Sequence, residues 1–168
     1  MLNNIKIRQL NNNDIDDILN LYVHTISRLK DPTILRNSSK ELLLQSISNE
    51  NIAYGIFIEK ELIAIGIAVD PKPPEVDLRI NLQKYKVDKA MDLKVIIVKE
   101  NYRGNGLQKI LIILLEKQAK QLGYTHFCVS ISPNNFYSSN NFIELGYQKD
   151  HIEIIYDGLL RDIYVKQL

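Results

Sequence analysis

The segment from Leu93 to Ser132 restricts the fold of this chain more than any other. Leu93-Lys94-Val95-Ile96-Ile97-Val98 is a nearly continuous apolar run, the pattern of a strand covered on both faces. After a short link comes Arg103-Gly104-Asn105-Gly106, and then Leu107, Ile110, Leu111, Leu114, Leu115, Ala119 and Leu122 recur at helical spacing. Gly123 follows, in the position where glycine usually ends a helix. His126 to Ser132 has the pattern of a second buried strand. A strand, a helix and a strand in this order predict a parallel pair joined by a right-handed crossover.

The flanking segments extend that unit. Ile5 to Arg8 reads as a first strand, and Asn13-Asp14 as the cap of a helix through Ile15, Ile18, Leu19, Tyr22 and Ile26. Asp31-Pro32 interrupts this helix. Ser38 with Glu41 three residues later forms a capping-box pattern for a second helix through Leu42, Leu43 and Ile47. Ala53 to Ile58 and Leu62 to Val69 form a predicted hairpin across Glu59-Lys60-Glu61. The polar stretch from Glu75 to Ala90 fits a loop or a short helix. Ser138 to Leu145 predicts a short helix stopped by Gly146, and Ile152 to Tyr156 with Arg161 to Lys166 a final hairpin turning at Asp157-Gly158. The expected architecture is α/β: one domain over residues 1–168, a central mixed sheet of about six to seven strands and about four helices on its faces.

Composition narrows the partners. Lysine and arginine number 21 against 20 acidic residues, a formal charge of +1. Neither a basic excess nor a basic stripe is present, so nucleic acid is not the expected partner. No apolar run approaches membrane-spanning length. The first residues, Met1 to Lys6, contain no apolar stretch of signal-peptide length, and a cytoplasmic protein is expected. The single cysteine, Cys128, sits in a strand-like run and reads as a core residue. His24, His126 and His151 are scattered without metal-ligand spacing, and no metal is expected.

The glycine loop is the feature with chemistry in it. A helix start leaves four backbone N–H groups unpaired at the positive end of the helix dipole. Glycines admit positive φ and let a phosphate approach the backbone. Arg103 adds a fixed positive charge. A diphosphate would satisfy such donors. The P-loop pattern requires Gly-Lys-Ser/Thr, where this loop has Gly106-Leu107-Gln108. The dinucleotide fingerprint requires a third glycine where Lys109 stands. A glycine-rich turn without a ligand stays open as the alternative.

Val98 to Gln108 resembles the signature of the GNAT acetyltransferases: Arg or Gln, two residues, Gly, one residue, Gly or Ala. Gln108 departs from the small residue usual at the end. Asn135, Ser138, Phe142 and Gly146-Tyr147 keep the spacing of the second half of that signature, although three side chains differ. The order of elements along the chain agrees as well. The resemblance implies acetyl-CoA as co-substrate, held by Ile96, Ile97, Val98, Arg103, Gly104, Asn105, Gly106, Leu107, Gln108, Asn135, Ser138 and Phe142. It implies transfer of the acetyl group to a primary amine of a small molecule or a protein by direct attack in a ternary complex. A catalytically inactive acyl-CoA-binding or sensor domain of the same fold is the alternative. Homodimers are common in such a family.

By the same resemblance, the Val98 backbone N–H would hold the developing oxyanion. Asp92, six residues earlier, matches a carboxylate that serves as general base in part of the family. A solvated carboxylate at a strand start is the competing reading. Glu75 and Asp77 are weaker candidates for the base, and Glu100 reads as surface. Phe142 stands where the family often has a tyrosine that protonates the departing thiolate, and phenylalanine has no proton to give. Asn135, Ser138 and Phe142 share a helix face that Tyr137 does not. Gln108 can point to solvent while its N–H serves the phosphate. The acceptor pocket would be built by the early helices and the segment from Asp70 to Ala90, with Tyr22, His24, Tyr85 and Tyr156 as its candidate lining.

Overall fold

Residues 4–47, 51–72, 76–84, 87 and 89–168 are described in the computed structural model of the protein. In chain order the elements are β1 (Ile5–Gln9), α1 (Ile15–Ser27), α2 (Lys40–Gln45), β2 (Ile52–Ile58), β3 (Glu61–Val69), β4 (Ala90–Val98), α3 (Leu107–Gln121), β5 (His126–Ile131), α4 (Phe136–Glu144), β6 (Gln148–Ile155) and β7 (Leu159–Gln167). Single 3-10 turns at Asn12–Asp14 and Glu100–Tyr102 precede α1 and the glycine loop. The strands form one sheet in the order β1-β2-β3-β4-β5-β7-β6. Neighbours are antiparallel except β4 and β5, which are parallel and joined through α3. The expected mixed sheet with helices on its faces is the observed one.

Each face of the sheet is covered by the apolar stripe of a helix. Ile18, Leu21 and Tyr22 of α1 pack with Leu43 of α2 over Ile65, Ile67, Val95 and Ile97. On the other side Leu107 and Leu111 of α3 meet Ile56, Ile63 and Ala64, while Ile112, Leu115 and Ala119 meet Met91, Phe127 and Phe142. Gly66 sets the depth of this second layer. A Cβ added there would stand 3.0 Å from Leu115 Cδ1 and 3.3 Å from Leu111 Cβ, so α3 lies almost on the backbone of β3. Truncating a fully buried leucine such as Leu111 to alanine removes packing worth about 2–5 kcal/mol.

The caps differ in detail from the sequence expectation. Asn11, not Asn13, caps the turn before α1, and its side chain accepts from the Asn13 N–H. Asp14 is used elsewhere: its carboxylate takes two bonds from the Arg8 guanidinium, at 2.6 and 2.8 Å, and one from the Asn11 N–H. The Arg8 hydrogen bond, stronger than the opposing effect of burial, lowers the Asp14 pKa. Ser39 rather than Ser38 caps α2, accepting from the Leu42 N–H at 3.2 Å. The Ser38 N–H instead donates to the Tyr22 hydroxyl, which itself donates to the Arg36 carbonyl. Tyr22 thereby fastens the chain between α1 and α2 to the first helix. Three strands begin two or more residues earlier than expected, β4 at Ala90, β6 at Gln148 and β7 at Leu159. The final hairpin turns through three residues of positive φ: Tyr156, Asp157 and Gly158. Cys128 is fully buried, as expected, and burial pushes its thiol pKa up. Among the described residues, no helix is long and apolar enough to cross a membrane.

Candidate functional site

The site arises where the sheet comes apart. β4 pairs with β5 from Ala90↔His126 to Leu93↔Val129, and no further. Lys94 is the extra residue where the β3–β4 register steps from Val95↔Ile67 to Leu93↔Ala68. An extra residue of this kind bends and twists its strand, and beyond it β4 follows β3 away from β5. The remaining half of β4 therefore has a partner on one side only.

Which backbone groups face the gap follows from the ladder. The Lys99 N–H donates to the Ile63 carbonyl at 2.8 Å. Antiparallel positions alternate between bonded and non-bonded pairs. With Ala64↔Val98, Ile65↔Ile97 and Gly66↔Ile96 in register, Ile97 spends its main-chain groups on β3. Ile96 and Val98 turn theirs the other way, toward the missing strand. The Val98 carbonyl is engaged there by the Arg103 Nε at 3.1 Å. Of the three residues expected to pair with an extended ligand, Ile96 and Val98 are so oriented, while the buried Ile97 is tied to β3.

The gap opens into a cleft of about 1010 Å³. Its walls are the last turn of α1 with the chain after it, the end of β4, the glycine loop with the start of α3, and α4. Asp31 sets the chain after α1 against the far wall. Asp31 Oδ1 accepts from the Thr33 N–H and hydroxyl, and Asp31 Oδ2 accepts from Asn134 Nδ2 at 3.1 Å. Ile96, Ile97, Val98, Arg103, Gly104, Gly106, Leu107, Gln108, Asn135 and Ser138 all line the cleft.

At the loop, Gly104 has φ +79° and Gly106 has φ +73°. A Cβ at either would meet nothing within 4 Å, so the glycines answer a backbone requirement and not crowding by the protein. Ile110 donates to the Gly106 carbonyl at 3.2 Å. The N–H groups of Leu107, Gln108 and Lys109 come before that bond and have no carbonyl of the helix to meet. They and the Arg103 guanidinium form a donor set suited to a phosphate group.

Three expected ligand contacts are placed differently. Asn105 does not line the cleft; its exposed amide donates to the Tyr102 and Arg103 carbonyls and holds the loop in shape. Gln108 does not point to solvent. Its Nε2 donates to Ser138 Oγ at 2.9 Å, and its Oε1 accepts from Asn141 Nδ2 at 2.8 Å. The longer side chain finds partners on α4 that a glycine or alanine could not reach. Phe142 is 0% exposed and lies behind the cleft wall, edge-on to Tyr147 with ring centroids 4.9 Å apart. It packs in the core, because its position on α4 faces the sheet. Tyr137, at 90% exposure, is the aromatic residue that α4 brings to the cleft among the described residues. Asn135 caps α4 by accepting from the Ser138 N–H.

Asp92 is neither solvated nor at the start of its strand. It is the third residue of β4 and 5% exposed. Oδ2 accepts from the Leu78 N–H at 3.1 Å, and Oδ1 has no hydrogen-bond partner among the described residues. Burial, more than the nearby Asp77 and Asp70, drives its pKa well above the ordinary value against the opposing Leu78 N–H and Arg79. Such a carboxyl has the perturbed basicity expected of a proton acceptor for an amine. Asp77 is committed to Arg79 through bonds of 2.8 and 2.7 Å. Glu75 and Tyr85 lie outside the described residues. Glu100 borders the cleft with its carboxylate 3.9 Å from Arg28. His24 lines the cleft, Tyr22 is buried beneath it, and Tyr156 lines a smaller cavity beside Asp92.

Sequence reasoning missed Arg28, Arg36, Asn141 and Arg161. They enter through long-range packing, and no local motif marks them.

A model of the Acetyltransferase (GNAT) family matches residues 28–147. No curated protein sequence matches the chain. Among solved structures, a probable acetyltransferase from Staphylococcus epidermidis ATCC 12228 superposes with a TM-score of 0.73 at 20% identity, over 97% of this chain and 98% of that one. A ribosomal-protein-alanine N-acetyltransferase from Brucella melitensis gives 0.74 at 16% identity, over 97% and 99%. A PaiA N-acetyltransferase from Thermoplasma acidophilum, in complex with coenzyme A, gives 0.68 at 17%, over 98% and 99%. At these identities the likeness is one of fold.

Proposed function

The chain belongs to the GNAT acetyltransferase family, and from that premise we propose that it transfers the acetyl group of acetyl-CoA to a primary amine by direct attack in a ternary complex. The observation that carries the reading is the parting of β4 from β5. It leaves the Ile96 and Val98 main-chain groups facing a cleft that ends at the unpaired N–H groups of α3.

The donor set fits the co-substrate. An extended amide-bearing arm can take the place of the missing strand beside Ile96 and Val98, held by main-chain bonds that need no particular side chain. The N–H groups at the start of α3 and the Arg103 guanidinium would hold its pyrophosphate. Acetyl-CoA supplies the activated thioester. Val98 and Asp92 stand five to six strand residues apart, roughly 16–20 Å, too far to serve one reacting carbon. The Ile96 N–H, which faces the same gap nearer Asp92, would therefore donate to the thioester oxygen as negative charge develops there, an interaction whose loss typically costs about 10²–10³ in rate. Asp92 would accept the amine proton, directly or through a water. With Phe142 sealed in the core, no side chain at that position protonates the departing thiolate, and solvent in the open cleft can do so.

The burial of Phe142 also favours a second reading, a domain of the same fold that binds acyl-CoA without turning it over. Calorimetric titration with acetyl-CoA, followed by CoA release over a panel of amines, separates the two. Binding with turnover supports the enzyme, and binding without turnover on any amine supports the sensor. A protein that does not bind acetyl-CoA overturns both.

A further inference from the structure

A second cavity, of about 60 Å³, lies beside β4 where the strand is still paired with β5. Six polar side chains line it: Arg36, Asp92, Lys94, Ser130, Tyr156 and Arg161. Ile34 and Leu35 line both this cavity and the large cleft, so the two share a wall.

Two of the six are nearly sealed from solvent and incompletely bonded. Arg161 is 2% exposed; its Nη1 donates to the Leu160 carbonyl, and its Nη2 has no hydrogen-bond partner among the described residues. Asp92 Oδ1 is in the same position as an acceptor. A buried charged group left unpaired is costly, and such orphans in a folded protein call for an explanation. No ion pair joins Arg161 to Asp92, so they do not satisfy each other. The other polar groups are engaged: Tyr156 with Ser130 at 3.0 Å and under the Arg36 guanidinium at 4.3 Å, and Lys94 with the Leu42 carbonyl at 3.2 Å. Among the described residues, the lining carries three cationic side chains against one carboxyl group.

We propose that this cavity receives the head of an amino-carboxylate acceptor, with its carboxylate on Arg161 Nη2 and its amine on Asp92 Oδ1. The inference rests on the acetyl-transfer reading and names the acceptor class for it. One molecule carrying an acceptor and a donor a few bonds apart completes both orphans, which a plain amine cannot do. Water needs about 10–15 Å³ of such volume per molecule, so the cavity holds only a few heavy atoms. That suits a carboxylate and its neighbouring carbons better than a bulkier phosphate. The amine end would face the Ile34–Leu35 wall shared with the cleft, the side from which the thioester must reach it.

The test compares glycine and β-alanine with glycinamide and β-alaninamide at saturating acetyl-CoA. Wild type should prefer each acid over its amide by about tenfold or more in kcat/KM, as expected when a buried charge pair is broken. Arg161→Gln should erase that preference while acetyl-CoA affinity by calorimetry stays unchanged. Equal use of amides by wild type, or a preference that survives in Arg161→Gln, overturns the proposal. Calorimetric titration of β-alanine and β-alaninamide into wild type with CoA bound keeps the subsite testable apart from turnover and from the folding of the variant. Binding of the acid alone supports the subsite even if no acetyl is transferred, and binding of neither, without turnover, overturns it.

Discussion

The Gln108 amide joins α3 to α4 by donating to the Ser138 hydroxyl at 2.9 Å and accepting from Asn141 at 2.8 Å. These bonds cross the cleft wall beside the glycine loop. Gln108→Ala removes both and leaves two partners on α4 without their bond. A typical bond of this kind contributes about 0.5–1.5 kcal/mol, so thermal unfolding should shift to lower temperature. The KM for acetyl-CoA should rise by about threefold to tenfold with kcat little changed, since the loss falls on binding and not on the reacting atoms. An unchanged KM would mean that the bridge is irrelevant to the cofactor.

Gly106→Asp should abolish acetyl-CoA binding in a protein that still folds. The residue sits at φ +73° with open space where a Cβ would go. Aspartate and asparagine are among the few L-residues that visit this conformation routinely. The new carboxylate would stand at an anion site and repel a diphosphate. Circular dichroism checks the fold and calorimetry the binding. A variant that binds acetyl-CoA like wild type would remove the glycine loop from the site.

Asp92 predicts a pH dependence in two quantities. Its pKa is raised chiefly by burial, with Asp77 and Asp70 nearby adding to the effect and Arg79 opposing it; Arg36, Lys94 and Arg161 line the same cavity. A general base must be ionised, so kcat/KM should fall as pH drops through the raised pKa. The acidic limb should therefore lie above the ordinary aspartate value of about 3.9. Asp92→Asn should lose that limb and most of the rate. Stability has the opposite sign. Between the unfolded pKa and the folded one, the folded state holds more protons, so rising pH destabilises it. Asp92→Asn should be more stable than wild type at neutral pH, with the difference shrinking below about pH 4.

Phe142→Tyr should not create a general acid. The ring is sealed in the core against Tyr147, and a hydroxyl added there would need a partner that the apolar surroundings do not offer. An unsatisfied buried hydroxyl costs about 1–3 kcal/mol. Denaturant unfolding should register that loss, with kcat unchanged. A rise in kcat would show that the position reaches the cleft after all.

The path from sequence to site was clear where the information is local. The apolar run of β4, the glycine loop and the stripe of α3 each carry their structure in adjacent residues, and the parallel pairing of β4 with β5 follows from their order. It failed where burial is decided by distant segments. Asp92 looked like the edge of a strand because aspartate is rarely buried, yet Ala90 and Met91 before it are fully buried. Arg161 looked like an ordinary strand start, and only the approach of β4, β5 and the chain after α1 encloses it. Ser38 and Ser39 are both chemically able to cap α2, and the pull of the Tyr22 hydroxyl on the Ser38 N–H decides between them.

The short parallel seam between β4 and β5 also bears on how the protein endures in a cell. Four register positions join them, against six where β5 meets β7. A molecule that fills the wedge would act as mortar between the two parts of the sheet, and anything bound only to the folded form stabilises it in proportion to the logarithm of its free concentration. Resistance to proteolysis would then rise and fall with the acetyl-CoA pool, and the lifetime of the protein would record the supply of the group it transfers.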